Sequence, residues 1–412
     1  SVWLRGVEVT TPGRRPRRLR ADERAVVVAQ LRAALHPNAR TAGDIPAFDV
    51  ELAHRLYRML LEPVREGWQR AESLLIVPHG ALAQLPFALL PTRPTGLGQQ
   101  RDVLFADYRE ISWLIRSHAV SVLPSVTALV TLRQLAPGDP TRRPFVGFGD
   151  PYFSVEQAQR AARQRGLLAG ASLSPRGRSI TLRNLRIERR DSSQLASLPR
   201  LPETAGEIQR IAQALEADPA RDVYLGERAN EHVLKTLDLS VYRVLAFATH
   251  GLVPGDLDGL TQPALALSAP EVARAEGDGL LTMEEILGLR LNADWVVLSA
   301  CNTAAGQGAG AEAVSGLGRA FFYAGARALL VSHWPVETTS ALALTTDLFR
   351  RQRAEPGLSR ARALQQTMIR LVDEGQLVDP ASGQVSFSYA HPIFWAPFEL
   401  VGDSGTGASA GN

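Results

Sequence analysis

Two stretches decide how this chain is read: Val244-Leu245-Ala246-Phe247-Ala248-Thr249-His250-Gly251 and Trp295-Val296-Val297-Leu298-Ser299-Ala300-Cys301. Each opens on a short run of apolar residues without polar alternation, the pattern of a parallel strand covered on both faces. Each ends on a residue that can do chemistry. Ligands and reacting groups in open parallel sheets collect at the carboxyl ends of the strands. The reading therefore places His250 and Cys301 on one rim of one sheet.

Working outward, strands alternate with helices, which argues for an α/β layer architecture. Downstream of Cys301 the pattern predicts a helix over Glu312 to Ala324, a strand over Ala328 to Ser332, a helix over Thr338 to Arg351 and a closing strand over Phe394 to Val401. Upstream, Thr282-Met283-Glu284-Glu285 matches a capping box, in which Thr and the Glu three residues later satisfy each other's backbone donors. Before it come a helix over Asn230 to Leu237, a strand over Val223 to Leu225 and a helix over Glu203 to Leu215. Further upstream, helices are expected over Asp22 to Leu35 and Val50 to Leu61, with strands near Ser73 to Val77, Val120 to Leu123 and Phe145 to Phe148.

These elements divide as follows. Residues 1–21 are an Arg-rich segment taken as flexible, and 22–158 an N-terminal α/β unit without a cysteine. Residues 159–200, Arg-rich and poor in large apolar side chains, read as an exposed linker open to processing. Residues 201–403 hold both His250 and Cys301, and 404–412 are a flexible tail.

With 412 residues, 45% hydrophobic and 21% charged, the chain has the composition of a globular protein with an ample core. It has no apolar run of transmembrane length and no secretory pattern at its start, so the expected setting is cytoplasmic, with no membrane partner. Its single cysteine excludes an intramolecular disulfide and makes Cys301 the only thiol. The net charge of +3 comes almost wholly from arginine, since Lys235 is the only lysine. That bias reads as coding composition, and no nucleic acid is expected on the catalytic part. The chain opens on Ser1, and the expectation is the C-terminal portion of a longer polypeptide or a processed product.

A free thiol is mostly protonated at neutral pH, so Cys301 needs a neighbouring base. His250 can take the thiol proton and return it to a leaving amine. The backbone N–H groups of Gly251 and Cys301 can serve as oxyanion donors, because glycine lets the chain approach a carbonyl closely. The interval of 51 residues (301 − 250) is close to the roughly 50 that separate His from Cys in caspases. Rival readings are weaker. A zinc site of Cys301, His250 and His333 lacks any closely spaced ligand pair. Gly306-Gln307-Gly308-Ala309-Gly310-Ala311 meets a dinucleotide fingerprint only superficially, with Val331 where an acid belongs. His79-Gly80 imitates His250-Gly251 but has no cysteine in its half and reads as structural.

Taken in order, Ala248-Thr249-His250-Gly251, Leu280-Leu281-Thr282 with Glu285-Ile286, Val297 to Thr303, Gly316-Leu317 with Arg319-Ala320-Phe321, Ala324-Gly325-Ala326 and Trp334-Pro335-Val336 resemble the signatures of CHAT-domain cysteine peptidases, which are caspase-like, separase-related members of clan CD. Leu56-Tyr57, Pro78 with Gly80 and Leu82, Leu85-Pro86-Phe87 and Leu201 through Glu207 resemble the upstream part, so the likeness runs from about Phe48 to Asp403. The resemblance implies a caspase-hemoglobinase fold, a mostly parallel sheet flanked by helices with an N-terminal pseudo-caspase-like unit. It implies a His250, Cys301 dyad that needs no metal or cofactor, and an S1 pocket at Ser299, Trp334, Pro335 and Glu337. Glu337 suggests a basic P1 residue, by a narrow margin over a neutral, apolar one.

Family context implies a bacterial endopeptidase in regulated cell death or anti-phage immune defence, cutting a pore-forming or signalling protein. An upstream sensor, a repeat region or a regulatory partner would control it. The alternative is an inactive CHAT-like scaffold that binds a partner in the same cleft. This sequence departs from the family in having His79 after Pro78, Asn302 after the cysteine and Thr338 after Glu337.

Overall fold

The computed structural model describes residues 8–9, 17–18, 21–35, 39, 41–98, 103–135, 138–168, 195–299, 309–379 and 382–405. The chain lays down β1 (Ser73–Ile76), β2 (Ala119–Val122), β3 (Arg143–Gly149), β4 (Val223–Leu225) and β5 (Tyr242–Ala248). A small antiparallel sheet follows, of β6 (Gly251–Leu252), β7 (Ala264–Ala266) and β8 (Leu280–Thr282). The chain then returns with β9 (Trp295–Leu298), β10 (Ala328–Ser332) and β11 (Phe398–Gly402). Eight of these strands make one sheet in the order β1-β2-β11-β10-β9-β5-β3-β4.

Neighbouring strands are parallel throughout except where β11 meets β10. The sheet is therefore two parallel blocks that point in opposite directions. One comprises β10, β9, β5, β3 and β4; the other comprises β11, β2 and β1.

The helices that matter here are α1 (Ala21–Ala33), α2 (Val50–Leu60), α3 (Val155–Leu168), α4 (Glu203–Ala214), α5 (Met283–Leu287), α6 (Ala309–Ala324), α7 (Thr338–Ala354) and α8 (Arg360–Glu374). Alternate residues of β5 face different layers. Val244, Ala246 and Ala248 join a core with Ile208 and Ile211 of α4 and Leu344 and Leu348 of α7. Leu245 and Phe247 join a second core with Ile286 of α5 and Leu317, Ala320 and Phe321 of α6. Covering on both faces is why β5 and β9 show no polar alternation. At Gly147 and Gly149 of β3 an added Cβ would lie 2.7 and 2.8 Å from the Ile208 side chain, so glycine is what lets α4 close onto the sheet. The Thr282 and Glu285 capping box forms as read, at the start of α5.

This mixed α/β fold, with its mostly parallel sheet between helical layers, is the one the sequence predicts. Three details differ. The N-terminal unit of 22–158 does not form a sheet of its own: β1 and β2 join β11, and β3 lies between β5 and β4. Strand pairing is long-range, and a pattern of alternating elements does not reveal which strands become neighbours. The linker expected over 159–200 begins inside α3 and ends in an ordered turn at Leu195–Ser197, leaving 169–194 outside the described residues. Phe394 and Trp395 belong to a short helix, Pro392–Trp395, opened by a proline at its first position, and the closing strand starts at Phe398. Residues 1–21 are described only at the Glu8–Val9 and Arg17–Arg18 pairing and at Ala21, and 406–412 not at all.

Candidate active site

β5 and β9 are parallel neighbours, with Val244 opposite Trp295 and Phe247 opposite Leu298. The Ser299 N–H extends this ladder to the Phe247 carbonyl at 3.0 Å. Both strands thus end at one rim, with His250 just past β5 and Ser299 just past β9. Ala300 and Cys301 lie outside the described residues. In the chain Cys301 is the second residue after Ser299.

His250 is 1% exposed. Its Nε2 is 2.7 Å from the Pro199 carbonyl oxygen. A carbonyl can only accept, so Nε2 carries the proton and Nδ1 presents a lone pair. That Nδ1 is buried and has no hydrogen-bond partner among the described residues. The Phe153 ring packs against the imidazole at a centroid distance of 5.4 Å. Burial pushes the histidine down to about 4, with the Pro199 carbonyl working in the opposite direction. The ring is accordingly neutral at pH 7.

Gly251 opens β6, the edge strand of the small sheet, and stands opposite Leu265. The Ala266 N–H bonds the His250 carbonyl at 2.9 Å. Bonded and non-bonded pairs alternate in an antiparallel ladder, so Gly251 holds the non-bonded position and its N–H faces away from β7.

The remaining predicted residues fall into the sheet and its core. Ser299 is buried at the rim. Trp334 is fully buried, and its Nε1 donates to the Ile393 carbonyl at 3.0 Å. Pro335 is buried beside it. Glu337 is 4% exposed and is the N-cap of α7, its two carboxylate oxygens accepting from Thr339 N at 3.0 Å and Ser340 N at 2.7 Å. The expected pairing of Glu337 with a P1 cation therefore meets a carboxylate already committed to a helix terminus, where the dipole and orphan N–H groups favour it.

His333 follows β10 on the same rim; its Nε2 is bonded to Glu399 at 2.8 Å, and its Nδ1, like that of His250, is buried without a hydrogen-bond partner among the described residues. Among the described residues no group of three or more His, Cys, Asp or Glu converges as metal ligands. Of the glycine-rich run after Cys301, residues 306–308 lie outside the described residues, and Ala309 opens α6.

Sequence reasoning missed Pro199 and Phe153, which orient the histidine. One signal was available. Leu198 and Leu201 bracket Pro199 at the end of an otherwise polar stretch, and both are buried.

Residues 50–403 match the CHAT domain, and the chain belongs to the CHAT-domain family. No curated protein matches it. Among solved structures, it is similar to the separase in the Saccharomyces cerevisiae separase–securin complex at 12% identity and a TM-score of 0.36, over 72% of this chain and 14% of that one. Among the described residues no helix is long and apolar enough to cross a membrane.

Proposed function

We propose that the protein is a cysteine endopeptidase in which Cys301 is the nucleophile and His250 the general base. The observation that carries this reading is the orientation of His250: Nε2–H is spent on the Pro199 carbonyl, while the buried Nδ1 keeps its lone pair on the rim where β9 delivers the chain toward Cys301. In the proposed cycle Nδ1 takes the thiol proton as sulfur attacks the scissile carbonyl. The Gly251 and Cys301 N–H groups receive the oxyanion. Nδ1–H then protonates the leaving amine, and water, deprotonated by the same nitrogen, releases the acyl group. The Pro199 carbonyl steadies the imidazolium through Nε2–H, which offsets part of the cost of charging a buried ring.

The substrate we infer is a protein, cut in regulated bacterial cell-death or anti-phage signalling in the cytoplasm, and the support for this is family membership alone. An unbiased peptide library tests the activity. The parent protein is expected to cut it and Cys301→Ala to leave it intact. Equal cutting by Cys301→Ala removes the reading, and a silent parent leaves a scaffold that binds without cutting.

A further inference from the structure

We propose that the Asp150 and Arg200 ion pair is a positioning clamp, which sets the tautomer of His250 by holding the Pro199 carbonyl against its Nε2. The inference rests on the reading of His250 as the base and asks what keeps it in its working form.

The carbonyl that meets Nε2 belongs to the peptide unit joining Pro199 to Arg200. Anything that fixes the Arg200 side chain therefore restrains that peptide plane. Arg200 donates Nε to Asp150 Oδ1 at 2.7 Å and Nη2 to Oδ2 at 2.6 Å, a bidentate fork. Its guanidinium also lies over the Tyr152 ring, 4.9 Å from the centroid. The pair is sheltered, with side chains 20% and 6% exposed, so screening by salt is weaker than for a surface pair.

The other end of the clamp is equally fixed. Asp150 follows the last residue of β3 and adopts φ 48°, a left-handed turn that Asp and Asn tolerate better than most side chains. The Tyr152 N–H donates to Ser268 Oγ at 2.8 Å. Gln157 ties the two segments together, since its Nε2 donates to the Leu198 carbonyl at 2.8 Å and its Oε1 accepts from the Phe153 N–H at 2.9 Å. Phe153 is the ring that packs on the imidazole. The turn after β3 thus holds one side of His250 directly and the other through Arg200.

Neither Asp150 nor Arg200 is assigned contact with substrate; both act through Pro199. A purely structural pair would change stability and leave the histidine tautomer alone. Ring-nitrogen NMR of histidine-labelled full chain separates the two cases. The parent is expected to show an unprotonated Nδ1 and a slowly exchanging Nε2–H proton for His250. In Arg200→Ala a population with Nδ1–H should appear and the slow Nε2–H signal should be lost. Asp150→Asn keeps the turn geometry and Arg200→Lys keeps the charge without the fork, so both should give an intermediate loss.

On a cleavable peptide, kcat/KM of Arg200→Ala should fall by about tenfold to 100-fold, the usual cost of removing an orienting partner, with most of the loss in kcat. His250 with its parental tautomer and exchange in folded Asp150→Asn and Arg200→Lys overturns the clamp, even if Arg200→Ala fails to fold. The NMR readout needs no activity. A failure of the peptidase reading, seen as cutting by Cys301→Ala, is therefore distinguishable from a failure of the clamp.

Discussion

His79-Gly80 follows β1 and His250-Gly251 follows β5, yet the two dipeptides stand at opposite ends of the sheet. β1 belongs to the block that runs with β11, and β11 is antiparallel to β10. His79 is exposed and makes no capping bond at the turn it opens. His250 is buried, oriented by a carbonyl and neutral. In the proposed function, what sets His250 apart from His79 is that strand direction brings it to the rim of β9 and a second segment fixes its tautomer. His391 supplies the other limit. It is fully buried and pushed down to about 3, but both nitrogens are used, Nε2 on the Pro46 carbonyl at 3.2 Å and Nδ1 accepting from Ile393 N at 3.2 Å. Of these three, only His250 is buried with a ring nitrogen that has no hydrogen-bond partner among the described residues; His333, past β10 on the same rim, shares that combination and has its Nε2 on the Glu399 carboxylate instead of a backbone carbonyl.

The comparison breaks most visibly in activity. His250→Ala and Cys301→Ala should each cost on the order of a thousandfold or more in kcat/KM, and the double variant little beyond either single one, because the two act as a unit. His79→Ala should stay within about twofold of the parent, as a surface change remote from the rim. Comparable losses at His79 and His250 would erase the distinction.

Stability against pH is the next lever. A histidine held below its ordinary value is neutral in both states above pH 6.5, so it leaves folding untouched there. As pH falls from about 6.5 to about 4 the unfolded chain binds a proton that the folded site refuses, and stability is lost; below that window the loss levels off. A displacement from 6.5 to about 4 corresponds to roughly 3 kcal/mol. Urea titrations at a series of pH values should show this fall in the parent, flattened by about that amount in His250→Gln. An identical slope in His250→Gln would mean that the buried ring charges without cost.

The smallest expected effect concerns Glu337. Glu337→Gln should cost about 1 kcal/mol through weaker capping of α7 and leave the P1 preference of a peptide library where it was. A loss of preference for Arg in that variant would instead return Glu337 to the specificity pocket.

The sheet strands and the rim shared by His250 and Ser299 were legible because β5 and β9 are covered on both faces and write continuous apolar runs. The helix α8 went unread. Its buried side, with Leu364, Met368 and Leu371, is interleaved with arginines and glutamines, and its start is marked only by Ser359 capping Arg362 N at 3.3 Å. The clamp residues were hidden for a different reason. Asp150 and Arg200 are 50 residues apart and meet where α4, which follows Arg200, packs onto β3, with the Asp150 N–H donating to Thr204 Oγ1 at 2.8 Å; local pattern does not encode that docking. Glu337 was seen as a charge near the rim, but whether a carboxylate faces substrate or caps a helix depends on where the next helix begins.

The most direct test uses the fact that Cys301 is the only cysteine. A peptidyl electrophile that needs a thiolate can be incubated with native protein and the adduct located by mass spectrometry. The parent should carry one adduct, on Cys301, formed at a rate that drops at least about tenfold in His250→Ala and is unaffected in His79→Ala. Labelling that appears only after denaturation, or that proceeds equally fast without His250, would contradict the dyad.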